Sequence, residues 1–239
     1  MKILVCFVLL SCCVAIVAAQ ERVIDKTEFD AVVAEGNKIL VRRKGEKYRM
    51  TITTSAKIIG RTQNDWSSKA ISEFGSDDQT RHHIYASTFG GKARPTTEAI
   101  VFGKWEYKRA GTDPWSRKAY EAVQPQTQVQ PEPLPENPFQ VIETVADYRY
   151  LGKQSLGAKQ ANVYQKIERQ NKVNKKNGEN TESETKATYW FTEDGTMFKN
   201  EHRSSSRSAT MTTQNLIILE WALDPSIVIS EPVLEPAKP

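Results

Sequence analysis

Apolar and polar positions alternate along most of this chain, and two short stretches depart from the alternation toward one-sided helices. Phe29, Val32, Val33, Ile39 and Leu40 recur at spacings of three and four, which predicts a helix over 26–40 with a single apolar face. Thr27, with Asp30 three residues on, is placed to cap it. Asn137 followed by Pro138 reads as a second helix start, because proline's missing amide costs nothing at the first helical position. Phe139, Ile142, Val145 and Ala146 then predict a one-sided helix over 138–148.

The remaining pattern has the period of strands. Tyr48 to Thr54, Arg81 to Thr88, Tyr148 to Gln154, Ala161 to Arg169 and Ala209 to Trp221 are runs of this kind. Glu98 to Phe102 and Trp105 to Arg109 flank Gly103-Lys104, a two-residue hairpin turn. Thr188 to Thr192, the turn residues Glu193-Asp194-Gly195, and Met197 to Glu201 predict a second hairpin. Helices with one apolar face need a sheet to lie on, so the predicted class is α+β, an antiparallel sheet with helices over one face. Gln124 to Pro138 is proline-rich and reads as an extended excursion. Gln170 to Lys186, polar and without periodicity, reads as an exposed charged loop. Strands before and after the proline-rich stretch share one style, which predicts a single domain from residue 20 to 239 instead of two.

The first 19 residues change the picture of where this domain works. Met1-Lys2, the apolar run Ile3 to Ser11 and the small residues Val17-Ala18-Ala19 describe an export signal cut after Ala19, to periplasm or medium. Leu9-Leu10-Ser11-Cys12 offers a competing lipoprotein cut with a lipid anchor on Cys12, although an apolar stretch follows where a polar tether is usual. An uncleaved span is short of the roughly 20 residues a bilayer requires. Cys6, Cys12 and Cys13 all lie in this segment, so a chain cut after Ala19 has no thiols and holds together by packing. Lys and Arg number 33 and Asp and Glu 29, intermixed, which argues against nucleic acid as the main partner.

Catalytic signatures are missing. Nothing reads as a nucleophile elbow, a zinc-protease helix, a phosphate-cradling loop or a dinucleotide fingerprint. No cofactor is implied, and an enzyme is not expected. His82-His83, with Asp77 and Asp78 upstream, is the best metal candidate. Neighbours on a strand point to opposite faces, however, so a solvated strand end is the simpler account. His202 reads as a surface residue. Lys172, Lys175 and Lys176 form a basic cluster flanked by Glu168, Glu179, Glu182 and Glu184, as expected of a solvated loop.

Aromatic residues carry more. Trp105, Tyr107, Trp115, Tyr148, Tyr150, Tyr164, Tyr189, Trp190, Phe191 and Trp221 fall on or beside strands. An ordinary core accounts for any one of them; together with the two helices they allow an apolar cavity between helix and sheet. In that reading Phe29, Val33, Phe139, Ile142 and Val145 face the sheet, and Tyr107, Tyr189 and Phe191 line the cavity wall.

The order of segments resembles a known family. Thr97 to Gly103, Trp105 to Arg109 with Trp115, Tyr148 to Lys153, Thr188 to Thr192 with Asp194-Gly195 and Lys199-Asn200-Glu201, and the closing stretch Pro225 to Pro232 with Ile227 and Ile229 together resemble the LolA-like lipoprotein-carrier superfamily, which includes the LppX type and the sensor RseB. The resemblance runs over roughly 40–232. It implies an open antiparallel half-barrel of about 8–11 strands, with helices as a lid over a cavity for lipid or for the acyl chains of lipoproteins. The implied activity is binding and transfer by a monomer without covalent chemistry, with a membrane-bound donor or acceptor protein. The alternative it allows is an envelope sensor that binds lipid or lipoprotein and contacts a membrane-anchored partner. The proline-rich excursion and the loop at 170–186 are longer than a minimal carrier needs.

Overall fold

Alternation dominates the structure as it does the sequence. The computed structural model describes residues 21–42, 45–77, 80–120, 138–157 and 159–234. The leader at 1–19 with its cysteines, Asp78, and the proline-rich stretch up to 137 lie outside the described residues. In chain order the elements are β1 (Arg22–Val23), α1 (Lys26–Arg42), β2 (Tyr48–Ile58), β3 (Trp66–Phe74), β4 (Arg81–Phe89), β5 (Lys92–Ala93), β6 (Thr97–Phe102), β7 (Trp105–Ala110), β8 (Ser116–Ala119), β9 (Phe139–Leu156), β10 (Lys159–Asn174), β11 (Asn180–Phe191), β12 (Met197–Ser208) and β13 (Thr212–Leu223).

One sheet contains all thirteen strands of the described residues, in the order β1-β9-β10-β11-β12-β13-β2-β3-β4-β6-β7-β8, with β5 paired to β4. Every pairing is antiparallel, and β1 and β8 at the two ends do not meet, so the fold is an open α+β half-barrel. Most neighbours are successive hairpins. The Gly103-Lys104 turn between β6 and β7 works because Gly103 adopts φ +57°, a backbone region that side chains avoid. Two long-range pairings complete the order: β13 returns to β2, and β1 joins the edge of β9.

The helix is started by Asp25 and not by Thr27. The Glu28 amide donates to Asp25 Oδ1 at 2.8 Å, an N-cap worth about 1 kcal/mol. Glu28 in turn holds Arg22 of β1 through both carboxylate oxygens. Asp25-Lys26-Thr27-Glu28 therefore has the spacing of a capping box shifted two residues upstream of the expected one. Phe29 packs on Tyr148 and Tyr189, with ring centres 5.2 and 5.7 Å apart. Gly36 seats the next turn against the Phe191 ring so closely that an added Cβ would come within 2.5 Å of it. The apolar stripe of α1 thus lies along β11 toward the β11–β12 turn.

Two expected elements are corrected. Residues 138–148 do not form a second helix: they open β9, an 18-residue strand in which Val141, Ile142 and Val145 are exposed. Val141, Ile142, Thr144 and Val145 are β-branched, and that preference for the extended chain prevails over an apparent three-and-four spacing. Residues 170–186 are not a loop either. They are the ends of β10 and β11 joined by a short turn, laddered from Gln170↔Ser183 to Val173↔Asn180. Polar cross-strand pairs replace apolar alternation there, as where Arg169 donates to Glu184 at 2.8 Å and to Asp147 at 3.2 Å.

Candidate functional site

Residues in register across a sheet share a face, so the ladder separates the two sides of the sheet. Tyr189 lies under α1 and pairs in turn with Asn200, Leu219 and Ile52. Tyr48, Phe74, Trp221 and Leu223 follow from the same alternation and belong to the helix side. At one end of that side the sheet leaves a cavity of about 850 Å³. Its apolar wall comes from Tyr48, Phe74, Met197, Phe198, Trp221 and Leu223, with Glu46, Lys159, Glu193 and Thr196 among its polar groups. Tyr48 and Phe74 stack at 4.3 Å with planes only 12° apart. Lys159 Nζ lies 5.1 Å from the centre of the Phe198 ring, which places a cation over an aromatic face at the border of the cavity.

Five separate pieces of chain build this wall: the segment after α1, the end of β3, the start of β10, the β11–β12 turn and the end of β13. The turn is fixed locally. Gly195 takes φ +82°, the Thr196 amide donates to Asp194 at 3.2 Å, and the Thr192 amide donates to the Thr196 carbonyl at 2.9 Å. Met197 and Phe198 leave this turn already buried. Phe198 joins Ala161 and Val163, with Leu151 and Trp190 packed beside them, in the apolar cluster of the sheet's end.

The residues singled out in the sequence fall in three places. Phe29, Val33, Tyr189 and Phe191 form the layer between α1 and the sheet, where Phe29 and Phe191 are buried and the other two half-buried. Phe139, Ile142 and Val145 lie on the exposed first half of β9. Tyr107 is fully buried but on the opposite face, by its register with Ile100, His82, Glu73 and Arg49. There its hydroxyl donates to Glu231 of the tail that follows β13, and Ile227 of the same tail is buried. Of the aromatic set, Trp221 alone lines the cavity; Tyr48 begins an expected strand, whereas Phe74 ends β3, a strand that the sequence pattern does not predict.

His82 and His83 point to opposite faces, as strand geometry requires. On the tail side His82 Nε2 is 2.6 Å from Glu98 Oε1 and Nδ1 is 3.4 Å from Glu73 Oε2. Arg109 bonds the other oxygen of Glu98 at 2.6 Å, and Arg49 donates to Glu73 at 2.9 and 2.7 Å. Burial raises the Glu98 carboxyl, but its hydrogen bonds to Arg109 and His82 outweigh this and hold it below the ordinary carboxylate range. The arrangement is a structural ion network: among the described residues no group of three or more His, Cys, Asp and Glu is placed to hold a metal ion.

His83 and His202 lie on the helix side. His83 shares a 2.8 Å hydrogen bond with Ser72, and His202 is half-buried with its ring edge-on to Tyr189 at 5.7 Å, not at the surface as expected. Burial pushes both imidazoles below their ordinary value of 6.5, helped at His83 by the neighbouring His82 and Arg81. The unfolded chain therefore binds protons that the folded chain refuses, so stability is intact above pH 6.5 and falls as pH drops through the lower folded values. Urea denaturation between pH 7 and pH 5.5 should show this decline, and His83→Asn with His202→Gln should flatten it; an unchanged slope in that variant would remove these two groups as its cause.

No family model matches the chain, and no curated protein matches it. Among solved structures it is similar to a LolA superfamily protein, NE2245 from Nitrosomonas europaea, at 9% identity over 81% of this chain and 90% of that one, with a TM-score of 0.24. It is likewise similar to a DUF1329 family protein from Desulfovibrio piger, at 9% identity over 83% of this chain and 94% of that one, with a TM-score of 0.25.

Proposed function

We propose that this chain is an exported, non-catalytic carrier that holds the acyl part of a lipid or lipoprotein in the cavity beside α1. The observation that supports the reading is the cavity itself. About 850 Å³ bounded by Tyr48, Phe74, Phe198, Trp221 and Leu223 falls in the range of ligand pockets, roughly 300–1,000 Å³, and has their usual chemistry of apolar wall and few polar groups. Each buried methylene contributes about 0.8 kcal/mol. A long acyl chain therefore supplies on the order of 10 kcal/mol before association costs are met, which leaves reversible binding. The polar groups Glu46, Lys159 and Glu193 at the border leave a head group in water. The protein works as a monomeric single domain after cleavage behind Ala19, and hands its cargo to or from a membrane-bound partner.

Gentle purification followed by solvent extraction and mass spectrometry tests this. The expected result is acyl lipid near one molecule per chain, displaced by a fluorescent fatty acid. Protein that is lipid-free and does not bind the fluorescent fatty acid overturns the reading.

A further inference from the structure

Positive charge is concentrated at one corner of the sheet. Residues 92–118, from β5 to β8, carry seven Lys and Arg against three Asp and Glu, a net +4 that equals the formal charge of the whole chain. The rest is balanced. Lys92 and Arg94 lie by Phe89 at the far end of β4 and Arg109 is paired with Glu98, which leaves Lys104, Lys108, Arg117 and Lys118 toward the corner at the Gly103-Lys104 turn. Within this stretch Trp105 starts β7 directly after the Gly103-Lys104 turn. Lys104 Nζ lies 5.6 Å from the centre of its indole, and Arg117 Cζ lies 4.4 Å from it. On the other face of the same edge Lys118 is exposed, and the single carboxylate of Glu106 there serves both Lys118, at 3.0 Å, and Lys108, at 2.9 Å. Four cations thus meet two carboxylates at this edge, Glu106 on one face and Glu231 beside Tyr107 on the other, and the indole lies between Lys104 and Arg117.

The geometry points to this corner as a docking surface for an anionic phospholipid bilayer. Anionic head groups attract lysine and arginine within a Debye length, and indoles settle at the level of the head groups. Position favours a membrane over other polyanions. A single register row runs Leu223, Tyr48, Phe74, Arg81, Val101, Glu106 and Lys118 across β13, β2, β3, β4, β6, β7 and β8. Three of those residues belong to the cavity wall and the last to the basic corner, so both lie on one rim. At about 4.8 Å per strand, Lys118 is about 19 Å from Phe74. Glu46, Asp77, Glu193 and Asp194 on the cavity side of the rim carry the sign of the bilayer, which tilts contact onto β7 and β8 and leaves the cavity beside the surface. Docking does not depend on the carrier reading, but its position deepens that reading, since it would set the cavity where acyl chains enter.

Cosedimentation of the mature chain with phosphatidylcholine vesicles, with and without phosphatidylglycerol, tests the proposal. Binding is expected only to the anionic vesicles and is lost at high salt. Lys104→Glu with Arg117→Glu should weaken it by about tenfold or more, while Lys176→Glu with Lys186→Glu, the same charge change at the other end of the sheet, leaves it within about twofold. Absence of binding, equal binding to neutral vesicles, equal loss in both variants, or displacement by duplex DNA as effective as by anionic vesicles would each overturn it. The salt series on the unaltered protein stands even if a variant folds poorly. Loss of docking with lipid still copurifying leaves the carrier reading intact, and docking by lipid-free protein does the reverse.

Discussion

Phe191→Ala should cost about 3–5 kcal/mol, the usual loss for emptying a buried aromatic site. Phe191 is 2% exposed, makes an edge contact with Tyr164 at 5.6 Å, and is the surface on which Gly36 rests. Gly36→Leu attacks the same contact from the helix: helix propensity gains up to about 1 kcal/mol, but the new side chain would enter the ring, at a strain of about 1–3 kcal/mol or more. The informative variant is the double one. A leucine at 36 fills part of the space left by the ring, so the two losses should fall short of additivity by about 0.5–3 kcal/mol. Urea denaturation of the four proteins measures this. Losses that simply add would mean that α1 does not rest on Phe191.

This contact shows how much of the fold is legible in the chain. The stripe Phe29, Val33 and Ile39 places a one-sided helix correctly, and the hairpins at Gly103 and Gly195 follow from turn chemistry alone. The cap is ambiguous in the sequence because Asp25 and Thr27 both precede acidic residues at capping-box distance; only the bond from the Glu28 amide to Asp25 decides between them. Misreading 138–148 as helix has a different origin. Ile142 bulges out of the ladder between Val141 and Glu143, so the apolar residues of this stretch switch faces, and in a strand left exposed no burial pattern stands against the three-and-four spacing of Phe139, Ile142 and Val145. The ladder at 170–186 was invisible for a related reason. Hydrophobic periodicity reports burial, and where both faces carry Glu182, Glu184, Lys172 and Arg169 it reports nothing; cross-strand charge and amide pairs hold the register instead.

The site was less legible than the fold. An apolar space between helix and sheet is inferable from one-sidedness, but the space under α1 is occupied by Phe29, Tyr189 and Phe191. The opening lies at the rim, where segments far apart in sequence converge. Nothing local to Tyr48 or Phe74 distinguishes them from strand ends; they become a wall because β13 returns to pair with β2. That pairing is a property of topology, which no window of residues contains.

Leu223→Asp should abolish most acyl binding while leaving the protein folded. Leu223 closes β13 opposite Tyr48, lines the cavity, and is 47% exposed, so its removal takes away little of the core. A bound acyl chain would exclude water from that side of the carboxylate, and an ionised group facing hydrocarbon without a partner loses hydration that nothing replaces. Even a few kcal/mol of that penalty lowers affinity by about tenfold to a hundredfold. Leu223→Asn, neutral and of the same size, should lose less, and Leu223→Ala least, because only contact area is removed. That ranking separates desolvation of charge from loss of shape. Displacement of a fluorescent fatty acid gives the affinities, Trp221 in the same wall reports occupancy through its emission, and urea midpoints confirm folding. Equal binding by folded Leu223→Asp and unaltered protein would place the cargo elsewhere. In that event the next space to test is the exposed apolar run of β9 at Val141, Ile142 and Val145, since the interior under α1 is already taken by aromatic rings.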